Sequence, residues 1–292
     1  MNYRSGRIAS VICCPVCGGD LAENGDILEC AGCSGSYEVK EGVPVLMTPE
    51  FRKSITSPAT AQRAPGMAER AAGALSGLVP SHAIIIDDTY LRAFDQLPQD
   101  ALILNLGSGP GLYDKLTGRE MVNLDLYLND RVHALGDAHK LPFKDGSFDG
   151  VFSNAVLEHV AKPWLVAGEI ERVLKPGGIL SVNLPFMNVI HDAHDYFRFT
   201  GMGLKSLFDG FEEIASGVTT PGGSFWPTYM KEYIGLFIPG RYPRFAFGLL
   251  WGMIFHWFKW ADLIIKNNPR RHITATGFYF VGRLAKEGKA ET

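Results

Sequence analysis

The apolar run at residues 101–106 stops abruptly at Gly107-Ser108-Gly109-Pro110-Gly111, three glycines spaced two apart. An apolar run without polar alternation suits a strand buried on both faces, as in parallel sheets. Breaking it into a loop with almost no side chains brings bare backbone to the carboxyl edge of the sheet, where open α/β folds present their ligands. Glycine permits φ > 0 turns there and removes the Cβ atoms that would hold a ligand off the backbone. The stretch predicts a sheet with a nucleotide-like cofactor at one strand end.

The chain around it agrees. From about residue 82, strand-like segments at 102–106, 121–125, 132–135, 148–153, 178–184, 211–219 and 275–284 are separated by helical ones at 112–117, 164–174 and 204–208. Residues 84–97 also carry apolar side chains at helical intervals. The expected fold is α/β, with a Rossmann-like, mostly parallel seven-stranded sheet across 82–292. The net charge of −3 gives no global basic field directed at nucleic acid.

All five cysteines fall between positions 13 and 33. Cys14-Pro-Val-Cys17 and Cys30-Ala-Gly-Cys33 form two CxxC knuckles, each able to aim two thiolates at one tetrahedral ion. Cys14, Cys17, Cys30 and Cys33 are the expected metal ligands, and Cys13 is left over. The expected ion is a structural Zn2+, because four thiolates leave no open position and so small a unit needs a staple. Clustered CxxC pairs and an N-terminus without an apolar leader point to a reducing, cytoplasmic setting. Residues 1–47 are thus expected to form a small N-terminal zinc ribbon. Residues 48–81, rich in Ala, Gly, Pro and Ser, read as a linker with at most one short helix near 67–75 and a capacity to act as a lid. The pattern Cys-Pro-x-Cys-Gly-Gly-x-Leu, the second CxxC and Tyr37-Glu-Val-Lys-Glu-Gly-Val-Pro-Val-Leu-Met47 resembles the zinc-ribbon family of small methyltransferase activators. That resemblance implies a ribbon that is structural or docks a methyltransferase.

The spacing of the glycine loop separates three cofactors. A kinase-type phosphate loop needs Gly-Lys-Ser/Thr, whereas Gly111 is followed by Leu112-Tyr113. A dinucleotide loop reads GxGxxG, and here the third glycine comes one residue early. The GxGxG form resembles motif I of the class I S-adenosylmethionine-dependent methyltransferases. Asp125 ends the second strand, where a carboxylate can accept from both ribose hydroxyls. The run Gly136-Asp137-Ala138-His139-Lys-Leu-Pro-Phe-Lys-Asp-Gly-Ser-Phe-Asp149 resembles a signature of the methyltransferases that include quinone-biosynthesis enzymes. That likeness implies adenine recognition by the Asp137 carboxylate and the Ala138 amide. The resemblance spans about 100–205, and the cofactor set it leads to is Leu106, Gly107, Ser108, Gly109, Gly111, Asp125, Leu126, Asp137, Ala138 and Asn154, holding S-adenosyl-L-methionine. Glu158 and His159 read as structural or pocket-lining, and Asp149 as a strand-orienting group.

The acceptor is less constrained. Methyl transfer from a sulfonium is an in-line displacement on an activated carbon, so a general base is needed only for a poorly ionised hydroxyl. His194 and His191, in the run after the fifth strand, are the candidate bases, and an Asp195–Arg198 ion pair is expected to shape that loop. Related methyltransferases carry a similar H-D-Y-x-R-F-T run there. An apolar insertion at about 221–272 holds the Trp-rich stretch 245–260, too short for a membrane span. A stripe of Gly248, Gly252, His256, Lys259, Asp262 and Lys266 fits an interfacial membrane helix and fits a buried dimer or core helix equally. The partners expected are a small-molecule, lipid or lipid-linked glycan acceptor, with peripheral membrane contact or a homodimer through 244–266. An RNA base methyltransferase gripping RNA through the ribbon, and a non-catalytic protein-binding scaffold, are the competing readings.

Overall fold

Side-chain alternation along β5 (Leu102–Leu106) sets the layering. In this computed structural model, which describes residues 3, 7–55, 85–109, 113, 118–223 and 225–285, every residue of β5 is buried. Leu102, Leu104 and Leu106 join one apolar cluster and Ile103 the opposite one. Both faces are therefore covered, as a parallel strand requires. The same period of two divides Leu180, Val182 and Leu184 from Ile179 on β9 (Leu174–Pro185), and Phe278 and Phe280 from Tyr279 and Val281 on β11 (Gly277–Leu284).

One face is covered by α3 (Pro163–Val173), which opens on a proline at its first turn and buries Val166, Ala167, Ile170 and Val173. The other is covered by Tyr90, Ala93 and Phe94. That segment departs from the helical spacing of 84–97: within the described residues it forms only a 3-10 turn, Ala93–Gln96, ended by Pro98. The helix expected at 112–117, like that at 67–75, lies outside the described residues.

The sheet is mixed and has eleven strands, where a mostly parallel one of seven was expected. The seven expected strands are present as β5, β6 (Glu120–Asp125), β7 (Ala134–Gly136), β8 (Phe148–Asn154), β9, β10 (Phe211–Thr220) and β11. They lie in the order β7-β6-β5-β8-β9-β11-β10, with β11 antiparallel to both neighbours. The other four come from the N-terminal unit: β1 (Leu21–Asn24), β2 (Ile27–Cys30), β3 (Ser36–Lys40) and β4 (Val43–Leu46). Val43-Pro44-Val45-Leu46 is buried throughout, and β4 pairs in parallel with β7. An otherwise open sheet edge is thereby covered.

More contacts join this unit to the rest of the chain. Cys13 N–H donates to the Pro142 carbonyl (2.9 Å), Lys144 N–H to that of Val11 (2.9 Å) and Lys140 Nζ to that of Val16 (2.8 Å). Helix α2 (Pro49–Ile55) begins the stretch read as linker, with the Thr48 hydroxyl accepting from Phe51 N–H at its start. After β10 come α5 (Phe225–Gly235) and α6 (Arg241–Phe255), turned on Gly240 at φ 85°, then a 3-10 segment His256–Ala261 and the short α7 (Asp262–Ile265). Helix α4 (Gly201–Leu207), capped by Thr200, precedes β10.

Candidate active site

The first and fourth strands of the expected seven, β5 and β8, lie side by side, which makes the ends of this pair the topological switch point of the sheet. A cavity of about 600 Å³ opens there. Its wall brings together Leu106, Gly107, Gly109, Asp125, Leu126, Asp137 and Ala138 of the expected cofactor set. Gly111 lies outside the described residues. Ser108 does not line the cavity: it is buried, and its hydroxyl has no partner among the described residues. Asn154 does not line the cavity: its amide donates to the Tyr113 hydroxyl (2.9 Å) and its carbonyl accepts from Asn183 (2.8 Å).

The loop is shaped by more than freedom from side chains. Gly107 sits at φ 67°, and a Cβ there would stand 2.3 Å from Val156 Cγ2, so glycine is needed for packing as well as for the turn. Gly107 and Ser108 N–H both donate to the Leu124 carbonyl, folding the loop toward β6. Asp125 then ties the two strand ends: Oδ2 accepts from Gly109 N–H (2.7 Å), and Oδ1 from Leu126 N–H (2.7 Å) and Tyr127 N–H (3.1 Å). Three donors leave acceptor capacity on a carboxylate that has about four lone-pair sites. Asp137 is held by His139, whose Nδ1 and backbone N–H meet Oδ1 at 2.7 and 2.9 Å. Lys162 N–H donates to His139 Nε2 (3.3 Å), which fixes the tautomer with the proton on Nδ1. Asp149 orients strands, as its position implied: Oδ2 accepts from Leu102 N–H and Oδ1 pairs with Lys175.

A carboxylate at each of two strand ends and a glycine-turned loop fit a nucleoside-bearing cofactor. Comparison with known proteins agrees. The Methyltransferase domain family matches residues 104–182. An uncharacterised methyltransferase of Mycobacterium tuberculosis is 33% identical over 225 residues, spanning 66% of this chain and 86% of that protein. Another, from Mycobacterium marinum, is 30% identical over 224 residues with the same coverage. The chain belongs to the S-adenosylmethionine-dependent methyltransferases. Solved structures are more distant. A chain from a complex of the Haloferax volcanii Trm112 methyltransferase activator with a methyltransferase shows 18% identity and a TM-score of 0.46 over 76% of this chain and 97% of that one. A Haemonchus contortus phosphoethanolamine N-methyltransferase bound to S-adenosyl-L-methionine shows 18% and 0.46 over 68% and 52%.

The far wall of the methyltransferase cavity is built by Ala155, Val156, His159, Val160, Ala161, Asp192, His194 and Tyr196. Ala155 holds φ 55°, a left-handed backbone costly for a residue with a Cβ and a common mark of a functional turn. Of the two candidate bases, His194 lines the cavity. His191 is set back, its Nε2 3.2 Å from His159 Nε2. Arg198 forks onto both oxygens of Asp195 as expected, and that hydrogen-bonded pairing holds the carboxyl down at about 2. The loop is tied to the turn after β8 by Tyr196 N–H, which donates to the Glu158 carbonyl (2.7 Å). Burial pushes the Glu158 carboxyl up, partly opposed by its own amide and by His159, His191 and Arg198.

Two wall groups escaped sequence reading. Phe51, Ser54 and Ile55 reach the cavity from α2, in a stretch whose composition reads as a linker able to act as a lid. His139 serves Asp137, for which the spacing of two residues was a signal. His159, expected as structural or pocket-lining, lines the cavity and meets the His194 carbonyl through Nδ1.

In the N-terminal unit the four expected sulfurs converge, all within 4.8 Å of one another, with Cys14–Cys33 at 3.5 Å and Cys17–Cys30 at 3.4 Å. Tetrahedral thiolates at about 2.3 Å from an ion stand about 3.8 Å apart, so the donor set fits. Burial opposes ionisation of Cys14, yet the Tyr37 hydroxyl (3.0 Å) and the Cys17 and Val16 amides outweigh it and bring the thiol to about 6. Cys13 stands outside the cluster, and burial pushes it up to about 11.

Proposed function

We propose that this methyltransferase methylates a small-molecule or lipid-like acceptor at an anionic membrane surface. The observation that carries the reading is where the apolar hairpin springs from. Thr220, the last residue of β10, pairs with Gly277, which pairs with Pro185 at the carboxyl end of β9. The hairpin therefore leaves the sheet at the edge that carries the cavity. Its α6 has no buried residue, and Leu236, Phe237, Tyr242 and Ile264 are 71–85% exposed. Residues 225–273 hold seven Lys and Arg against two Asp and Glu, a net of +5 in a chain of −3. Such a face would repel a second copy of itself and attract anionic headgroups. No helix among the described residues is long and apolar enough to cross a membrane, which suits contact from one side.

In this reading the glycine loop, Asp125 and Asp137 hold S-adenosylmethionine, which supplies the methyl group as an activated sulfonium. Asp125 is the ribose acceptor and Asp137, oriented by His139, the adenine acceptor. Ala155, His194 and Tyr196 face the acceptor, and holding it in line supplies about 7–11 kcal/mol of the barrier. For a hydroxyl acceptor, His194 takes the proton. Zn2+ on Cys14, Cys17, Cys30 and Cys33 is structural and keeps residues 140–144, which follow Asp137 and Ala138, braced from behind.

The test is methyl-label transfer from S-adenosylmethionine into fractionated cell extract, with Asp125→Ala as control. Calorimetry should show S-adenosylhomocysteine bound by the natural chain and at least about tenfold more weakly by the variant, the loss of a charged acceptor being worth about 1.5–3 kcal/mol. Label should enter the organic-solvent phase. Label in RNA would overturn the acceptor class.

A further inference from the structure

Glu158 is the most unusual residue beside the cavity. Its side chain is 0% exposed, and among the described residues neither carboxylate oxygen has a hydrogen-bond partner. A buried carboxylate without partners costs several kcal/mol unless a cation or donor reaches it. Arg198 does not serve, because its guanidinium is spent on Asp195 and the Phe197 and Val189 carbonyls. The groups that do approach are two imidazoles. His159 Nε2 lies 3.8 Å from Glu158 Oε1 and 3.2 Å from His191 Nε2, with the rings edge to face.

The far sides of both rings fix their protons. His159 Nδ1 meets the His194 carbonyl at 2.9 Å. His191 Nδ1 meets the Val189 carbonyl and Asp195 Oδ2, both at 3.3 Å. Carbonyls and the Arg198-clamped carboxylate only accept, so each Nδ1 carries the hydrogen and each Nε2 of a neutral ring presents a lone pair. Two lone pairs face each other at 3.2 Å beside an unpartnered carboxylate. Nitrogens about 2.0–2.1 Å from one tetrahedral ion would stand about 3.4 Å apart, close to what is seen. A ligating histidine whose other nitrogen donates to a carbonyl or carboxylate is also the usual outer-shell arrangement of a metal site.

We propose that Glu158, His159 and His191 bind one first-row divalent cation. Two imidazoles and a carboxylate favour Zn2+, Fe2+, Co2+ or Mn2+ over Mg2+ and Ca2+. The set has three protein ligands, as open-position sites do, and His159 also lines the cavity, so the ion would sit beside it. If the methyl-transfer reading above holds, on which this clause alone rests, the cation receives an acceptor oxygen, from a hydroxyl, carboxylate or phosphate. His191 is then a ligand, leaving His194 as the proton acceptor.

The test uses the full chain with its four-cysteine cluster filled with Zn2+. Mn2+ is titrated by electron paramagnetic resonance and Zn2+ by calorimetry. One further ion per chain is expected, bound at least tenfold more weakly by His191→Gln and by Glu158→Gln. His191 is partly exposed, so its variant should fold even if the Glu158 variant does not. S-adenosylhomocysteine binding, measured on the same samples, should persist. Uptake of neither ion beyond the zinc of the four cysteines, or equal uptake by His191→Gln, overturns the site and points to a proton shared between the two rings. The methyltransferase reading would stand in that case; it falls instead if the cation binds and S-adenosylhomocysteine does not.

Discussion

Two additions to the methyltransferase core spend their apolar residues in opposite directions. The N-terminal unit turns inward: Leu28, Tyr37, Val43, Val45, Leu46 and Met47 are buried, and its last strand completes the sheet beside β7. The hairpin at 225–265 turns outward. No residue of its α6 is fully buried, and Ile264 is 85% exposed. Apolar surface already covered by the chain's own sheet supports the fold, whereas apolar surface left out is available to something else. The first addition should therefore answer to stability measurements and the second to binding measurements.

With the proposed Zn2+ on the four cysteines, the largest effect should follow from removing it, by Cys30→Ser or a strong chelator. Metal binding of this kind is folding free energy. Because the unit grips residues 140–144 behind Asp137, cofactor affinity should drop by about tenfold or more along with a thermal shift of about 10 °C. Calorimetry with S-adenosylhomocysteine and a melting curve check both. An unchanged affinity would make the N-terminal unit a free appendage and break the contrast.

How much of this was readable beforehand follows the same divide. Most of the seven core strands were legible as short apolar runs bounded by turn residues, and the place of Gly107, Asp125 and Asp137 at the cavity because each ends or follows a strand. The cysteine spacing placed four sulfurs together correctly. What could not be read is long-range. Nothing in Val43-Pro44-Val45-Leu46 says that its edge partner is a strand some ninety residues on, at 134–136, so the sheet was expected to end at seven strands. Residues 84–97 carry helical spacing, yet Tyr90, Ala93 and Phe94 cover the sheet from a hydrogen-bonded turn at 88–92 and a short 3-10 turn. Tertiary packing overrode local periodicity there. His159 and His191 stand 32 positions apart, and only the return of the loop after β9 brings their rings together.

The hairpin's anchor gives the intermediate effect. Asp262 belongs to the stripe that fits a membrane-interfacial and a buried helix equally; it is 1% exposed, and its two oxygens accept from Gly223 N–H at 2.9 and 3.1 Å. It fixes the hairpin's return to the sheet. Asp262→Ala leaves a buried amide unpartnered and should cost about 1–3 kcal/mol, seen as faster hydrogen exchange across 221–265. Burial raises the Asp262 carboxyl, so its contribution is fullest below the ordinary Asp range and declines as pH rises through the raised value. Asp262→Asn keeps an acceptor and removes the charge, and should lose less than the alanine variant at pH 7. Equal losses would mean that the charge itself is needed.

The smallest stability effect should come from the exposed apolar side chains of the hairpin, and it carries the most information about function. Phe237→Ser and Ile264→Ser remove side chains that are 71% and 85% exposed, so each should change the unfolding free energy by no more than about 0.5 kcal/mol. The same pair should abolish co-sedimentation with phosphatidylserine vesicles, while reversing Arg270 to Glu should weaken it in a salt-sensitive way. A destabilisation of several kcal/mol would mean that these side chains are packed in the working molecule, most simply against another copy of the chain, which sedimentation velocity would register as a dimer. Unaltered vesicle binding in a well-folded double variant would remove the hairpin from the membrane argument and leave the acceptor class resting on where the label goes.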